Sequence, residues 1–147
     1  MMNANEKLNK MLNFALEQKE LSKCTDKKTS AILVSRDLTQ IYSIGINGGP
    51  IKGEQCMCKT CGTKAKFSCA HAEMNCLVKN TTINNVPKIM ICSKQPCAIC
   101  ATLIVNSQTN IQQVYYNEEY WNTEGLEILR KANIEVIRFG ECENDGN

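Results

Sequence analysis

The chain has 147 residues and a mass of 16.5 kDa, with 43% hydrophobic and 22% charged residues. That is one domain's worth of chain, able to close a single core, and too ordinary a balance for a disordered protein. A net charge of +2 gives no field for long duplex DNA. No apolar run approaches the ~18 residues of a membrane span, and polar residues interrupt the N-terminus where a signal core would lie.

The chain in order reads as follows. Leu8, Met11, Leu12, Ala15 and Leu16 recur at helical spacing, so residues 5–21 are expected to form an amphipathic helix. Residues 31–35 and 41–45 read as two strands joined by a short polar connection. Residues 47–70 are rich in glycine and cysteine, a loop that something other than apolar packing must fix. A helix is expected after His71, through Leu77 and Val78. Residues 88–92 read as a buried strand, and Pro96 can start a helix carrying Ala98, Ile99, Leu103 and Ile104. Val114, Tyr115 and Tyr116 end a fourth strand. Residues 123–132 read as a helix, 134–137 as a fifth strand, and the tail from 141 as acidic and mobile. No repeat or linker divides residues 1–147, so one domain is expected. Strand, helix of about ten residues, then strand makes a right-handed crossover with parallel strands. The expected fold is a three-layer α/β/α sandwich on a mixed five-stranded sheet whose last two strands are parallel.

Ten cysteines stand beside a single histidine. A chain this long does not need disulfides, and without a secretory leader its thiols are expected to be reduced and to bind metal in a cytoplasm (a host's, should the source be viral). The informative arrangement is His71-Ala72-Glu73 followed by Pro96-Cys97-Ala98-Ile99-Cys100. Cys97 and Cys100 are three apart at a helix start, on one face, where the helix end favours thiolates. His71 adds an imidazole nitrogen. Three protein ligands leave the fourth position of a tetrahedral zinc to water, as in a catalytic site. That water can ionise near neutral pH, and Glu73 can carry its proton without being a ligand. Taken alone, a C-x-x-C pair is as often a redox pair or half a structural knuckle. Here H-x-E and P-C-x-x-C occur together and in order, as in the zinc deaminases.

On these residues the chain resembles the cytidine and deoxycytidylate deaminase superfamily, and most its deoxycytidylate (dCMP) deaminase branch. Ser22-Lys23-Cys24 before Lys28-Thr29-Ser30-Ala31-Ile32 is similar to the branch's entry into its first strand. Gly45-Ile46-Asn47-Gly48-Gly49-Pro50 resembles its G-x-N-G-x-P loop, and His71-Ala72-Glu73-Met74-Asn75 its H-A-E-[LM]-N helix start. The helix 123–132 with Asn133-Ile134-Glu135-Val136 resembles its C-terminal helix and strand. The parallel last pair agrees with this branch, since deaminases of free cytidine have an antiparallel one.

The resemblance implies hydrolytic deamination of dCMP to dUMP. Hydroxide on a catalytic zinc held by His71, Cys97 and Cys100 attacks C4, and Glu73 moves the proton to N3 and then to the departing amine. It implies that Asn47 bonds the sugar hydroxyl, although Asn47 also reads as a turn residue. It further implies that the Ala72 N–H meets the base O2, and that a carbonyl at Gln95, before Pro96, accepts from the exocyclic amine. Two residues depart from the pattern. Gln95 stands where the branch has serine, and Ser30 where it has glycine. A homo-oligomer, often a hexamer, with dCTP and dTTP as effectors is also implied.

Cys56, Cys58, Cys61 and Cys69 share one loop, and Cys24 precedes the first strand. Some members of the branch have cysteines at similar places, and a second, structural zinc would fix this loop. By spacing, Cys24, Cys56, Cys61 and Cys69 are the expected quartet. Cys58 is the rival, since Cys58-x-x-Cys61 has knuckle spacing. Cys76 and Cys92 read as core. Among lysines around the entrance, Lys28 and Lys52 are expected to meet a 5′-phosphate. Tyr115, Tyr116, Tyr120 and Trp121 read either as a wall of the base pocket or subunit contact, or as strand-end packing. Competing functions are a deaminase of cytidine, guanine or tRNA adenosine, the last disfavoured by the missing basic surface, and a non-enzymatic zinc module, which would have no use for Glu73.

Overall fold

The computed structural model describes residues 1–24, 27–49, 69–82 and 84–140. Among these, α1 spans Ala4–Gln18 and a 3-10 turn continues it over Lys19–Leu21. Asn3 starts α1 through a capping box: its Oδ1 accepts from the Glu6 N–H at 2.9 Å, and its own N–H donates to Glu6 Oε2 at 3.1 Å. Strands β1 (Ser30–Ser35) and β2 (Ile41–Ile46) follow, then α2 (Ala72–Lys79), β3 (Lys88–Lys94), α3 (Ala98–Asn106), β4 (Ile111–Glu118), α4 (Glu124–Lys131) and β5 (Glu135–Arg138). Asn133 ends α4 in the left-handed region at φ 62°, which lets the Ile134 N–H close on the Leu129 carbonyl at 3.0 Å.

The five strands form one sheet in the order β2-β1-β3-β4-β5. β1 is antiparallel to β2 and to β3, whereas β3/β4 and β4/β5 are parallel. The α/β fold is therefore as expected, including the parallel last pair. Strand parity sorts side chains into two layers. Ile32, Val34, Ile89, Ile91 and Tyr115 pack against Ala15 on α1. Ala31, Leu33, Met90, Cys92, Val114 and Tyr116 pack on the other face, against Ala72 and Cys76 of α2, Ala101 and Ile104 of α3, and Leu126 and Leu129 of α4. Cys76 and Cys92 are thus core residues, and burial pushes the Cys76 thiol up to about 12. Ser30, in place of the family's glycine, is fully buried. Its hydroxyl donates to the Ala15 carbonyl and ties β1 to α1. No helix among the described residues is long and apolar enough to cross a membrane.

Two glycines set how closely helices approach. A Cβ on Gly45 of β2 would lie 2.1 Å from the Ala72 carbonyl oxygen and 2.4 Å from the Cys76 nitrogen. A Cβ on Gly125 of α4 would lie 2.3 Å from the Pro96 carbonyl oxygen. Gly45→Ala is therefore expected to destabilise the metal-loaded protein by about 1–3 kcal/mol or more. Gly48→Ala, whose Cβ meets nothing within 4 Å, should stay within about 0.5 kcal/mol. Chemical denaturation of the two variants side by side measures the difference.

Candidate active site

The first turns of α2 and α3 meet at the C-terminal end of β3. His71 is the N-cap of α2, with extended backbone (φ −77°, ψ 154°), and its carbonyl accepts from the Asn75 N–H at 3.1 Å. Cys97 is the N-cap of α3, and its sulfur accepts from the Cys100 N–H at 3.5 Å. This geometry puts His71 Nδ1 3.2 Å from Cys100 Sγ and 3.5 Å from Cys97 Sγ. The three ligating atoms all lie within 4.8 Å of one another. A nitrogen and two sulfurs converging at this spacing fit a tetrahedral zinc with one position left open.

Within that donor set, hydrogen bonding favours the anionic form at Cys97. Hydrogen bonds from Cys100 and then from His71 pull the Cys97 thiol down to about 3, so this sulfur stands as a thiolate. The Cys100 thiol moves up in answer, because it shares the proton with Cys97 and is buried. The hydrogen bond to Cys97 raises the His71 pKa. Glu73, in the first turn of α2, is 6% exposed, and burial raises its pKa above the usual carboxylate range.

A cavity of about 280 Å³ opens over these residues. His71, Glu73 and Cys97 line it together with Cys24, Lys27, Thr29, Asn47, Cys69, Lys94, Gln95 and Tyr120. Asn47 lies in the cavity, but its carboxamide also has structural work. Oδ1 accepts from the Thr29 N–H at 2.9 Å and lies 2.7 Å from Ser22 Oγ, while Nδ2 donates to the Lys27 carbonyl at 2.5 Å. That leaves the second Nδ2 hydrogen for a ligand. Ala72 and Pro96 are fully buried.

Other expectations fare differently. Lys28 does not line the cavity. It turns to Glu20 at 3.7 Å on the surface, and the neighbouring Lys27 takes the cavity wall instead. Lys52, Cys56, Cys58 and Cys61 lie outside the described residues, as does the tail from 141. Cys24 is buried and not in a disulfide, whereas Cys69 is disulfide-bonded. Of the expected quartet of Cys24, Cys56, Cys61 and Cys69, the disulfide takes Cys69 out as a thiolate ligand. A second, structural zinc is not supported: among the described residues the metal-binding cluster is His71, Cys97 and Cys100. Of the aromatic residues, Tyr115 and Tyr116 are core, Tyr120 lines the cavity and Trp121 is 84% exposed. Sequence reasoning missed Lys94. Its signal was parity, because Lys94 falls on the same face of β3 as Met90 and Cys92.

Fold and site together define a hydrolytic deaminase with a zinc-binding His/Cys/Cys centre. The family model described as the cytidine and deoxycytidylate deaminase zinc-binding region matches residues 5–118, and the chain belongs to that family. A solved dCMP deaminase from the cyanophage S-TIM5, in complex with dCMP and dUMP, is similar at 28% identity and a TM-score of 0.78, covering 95% of this chain and 100% of that one. The apo form of that enzyme is similar at 26% identity and a TM-score of 0.75, covering 94% and 100%. A guanine deaminase from Nitrosomonas europaea shares the fold at 13% identity and a TM-score of 0.58, covering 86% and 74%. A search of curated proteins finds no match.

Cys97→Ala removes one thiolate from the centre. The variant is expected to carry about one zinc fewer per chain than the parent protein, measured by elemental analysis of samples never exposed to chelator.

Proposed function

We propose that the chain hydrolyses dCMP to dUMP and ammonia, a step that feeds thymidylate synthesis. The observation that carries this reading is the pair of lysines, Lys27 and Lys94, in the cavity of the His71, Cys97 and Cys100 cluster. A neutral nucleoside or base has no anionic group for either cation, whereas a 5′-monophosphate does. Similarity over the full chain to an enzyme solved with dCMP and dUMP supports the same substrate.

His71, Cys97 and Cys100 would hold the zinc, which supplies Lewis acidity and an activated water at neutral pH. Glu73 would take one proton from the attacking water and give it to N3, then take the second from the new C4 hydroxyl and pass it to the amine, which leaves C4 as ammonia. Its burial suits this role, since a raised pKa lets one carboxyl both accept and donate. The Ala72 N–H at the α2 start bonds the base O2, and the carbonyl at Gln95 accepts from the exocyclic amine. Asn47 offers its second Nδ2 hydrogen to the sugar hydroxyl. A homo-oligomer is part of the reading, because Ile99 and Leu103 of α3 and Val78 of α2 are exposed. We extend it to cytoplasmic action, with dCTP and dTTP as effectors.

Three measurements test the proposal. First, ammonia release is followed with dCMP, deoxycytidine, dCTP, cytidine and guanine in parallel, with and without dCTP and dTTP as additions. The expected result is a kcat/KM for dCMP at least about tenfold above that for deoxycytidine, as one charged phosphate contact provides; equal values would replace dCMP by a nucleoside. Second, Lys27→Met and Lys94→Met are each expected to lower kcat/KM for dCMP by roughly tenfold to a hundredfold while changing that for deoxycytidine far less. Third, Glu73→Ala is expected to retain zinc and bind dCMP while turnover falls by ~10²–10⁴. Zinc loss in that variant would make Glu73 a ligand instead.

A further inference from the structure

Gln95 differs from the family's serine, and its side chain does something a serine could not. It follows β3 directly and is 6% exposed. Its Oε1 accepts from the Tyr120 N–H at 3.2 Å, and its Nε2 donates to the Asn122 carbonyl at 3.0 Å. Its main-chain N–H donates to the Glu118 carbonyl at 2.8 Å. One residue thus joins the end of β3 to the loop that leaves β4. A serine hydroxyl, with one hydrogen on a one-carbon stem, cannot reach both loop groups.

That loop is part of the cavity wall. Tyr120 lines the cavity, and the Lys94 ammonium sits 5.4 Å from its ring centroid. Lys94 is a point charge on a flexible stem, and a ring face is what fixes its direction here. The flanks of the loop have anchors of their own. Glu119 pairs with Arg138 at 2.9 Å, and Asn122 Oδ1 accepts from the Glu124 N–H at 2.9 Å. Without the Gln95 carboxamide the strand and helix ends keep these anchors, while the stretch carrying Tyr120 would lose its hydrogen bonds to the Gln95 side chain.

We infer that Gln95 is a positioning residue whose carboxamide holds Tyr120, and through Tyr120 Lys94, in place over the substrate's charged end. The part that concerns substrate rests on the function proposed above; the part that concerns the loop does not.

The chain's single tryptophan, Trp121, is next to Tyr120 with ring centroids 5.5 Å apart, so its fluorescence reports on this loop. The test uses zinc-loaded parent protein, Gln95→Met, Gln95→Glu, Tyr120→Ala, and the double variant of Gln95→Met with Tyr120→Ala. Without ligand, Gln95→Met is expected to lower the Trp121 residual anisotropy, with zinc content unchanged. Gln95→Glu keeps an acceptor for the Tyr120 N–H and should recover part of it. With dCMP, Gln95→Met should raise KM about tenfold, the scale of two neutral hydrogen bonds, with kcat little changed. Tyr120→Ala should raise KM similarly, and the double variant no further than the larger single effect. Unchanged anisotropy in both Gln95 variants, or KM effects that multiply in the double variant, would overturn the inference. Should dCMP not be a substrate at all, the function fails while the anisotropy still decides whether Gln95 holds the loop. Should Gln95→Met not fold, Gln95→Glu and Tyr120→Ala carry the same comparison.

Discussion

The site depends on two close backbone contacts. Gly45 lets β2 lie against the first turn of α2, and Gly125 lets α4 lie against Pro96 and Cys97. Each contact presses a helix start toward the end of β3, and the three ligating atoms converge where the two starts meet. A methyl group at either glycine would have to move main chain rather than a side chain, because its nearest neighbours are backbone atoms. Since His71 and Cys97 are both N-caps, moving either helix start moves a ligand directly. The metal centre is therefore a consequence of helix packing on the sheet, far more than of the conformations of three side chains.

The same placement accounts for the electrostatics. Helix starts present unpaired N–H groups and favour negative charge. Cys97 uses this as a thiolate, with the Cys100 N–H directed at its sulfur. Glu73, on the neighbouring helix, is nearly out of water, and burial works against its charge. Cys97 and Glu73, which line one cavity with His71, are thus driven in opposite directions, one toward the anion and one toward the proton-bearing form. The proposed deamination, which needs a bound cation and a group that passes protons, would use that division.

Much of this was legible in the chain. Periodicity gave every helix and strand to within a few residues, because the apolar positions of α1 and of β1 and β3 face cores on fixed sides of the sheet. The triad was legible because H-x-E and P-C-x-x-C put their ligands at helix starts by local geometry alone. What was not legible depends on tertiary approach. Neither Gly45 nor Gly125 carries a local signal for the backbone it touches. Lys27 and Lys28 are adjacent in a segment without regular alternation, so spacing cannot tell which of them faces the cavity. The Asn47 carboxamide decides it, by binding the Lys27 carbonyl. Cys24 and three cysteines of the 47–70 loop were read as a metal quartet from count and spacing, which do not distinguish a shared metal from the disulfide at Cys69.

Two lysines on one strand show why the cavity lies where it does. Lys88 and Lys94 are the first and last residues of β3 and lie on the same face by parity. At the N-terminal end of β3, Lys88 is fully buried, and its ammonium donates to the Val86 carbonyl at 2.9 Å and the Thr109 carbonyl at 2.8 Å. At the C-terminal end, Lys94 faces the cavity. The difference follows from the connections. At its start β3 is closed in by the turn before it and by the segment leading into β4, whose carbonyls absorb a cation. At its end the chain leaves into α3, and β3 lies between an antiparallel neighbour and a parallel one. There the connections part, as they do at the strand ends where α/β sheets bind ligands. The same residue type therefore closes one end of the central strand and, at the other, presents a charge to whatever enters.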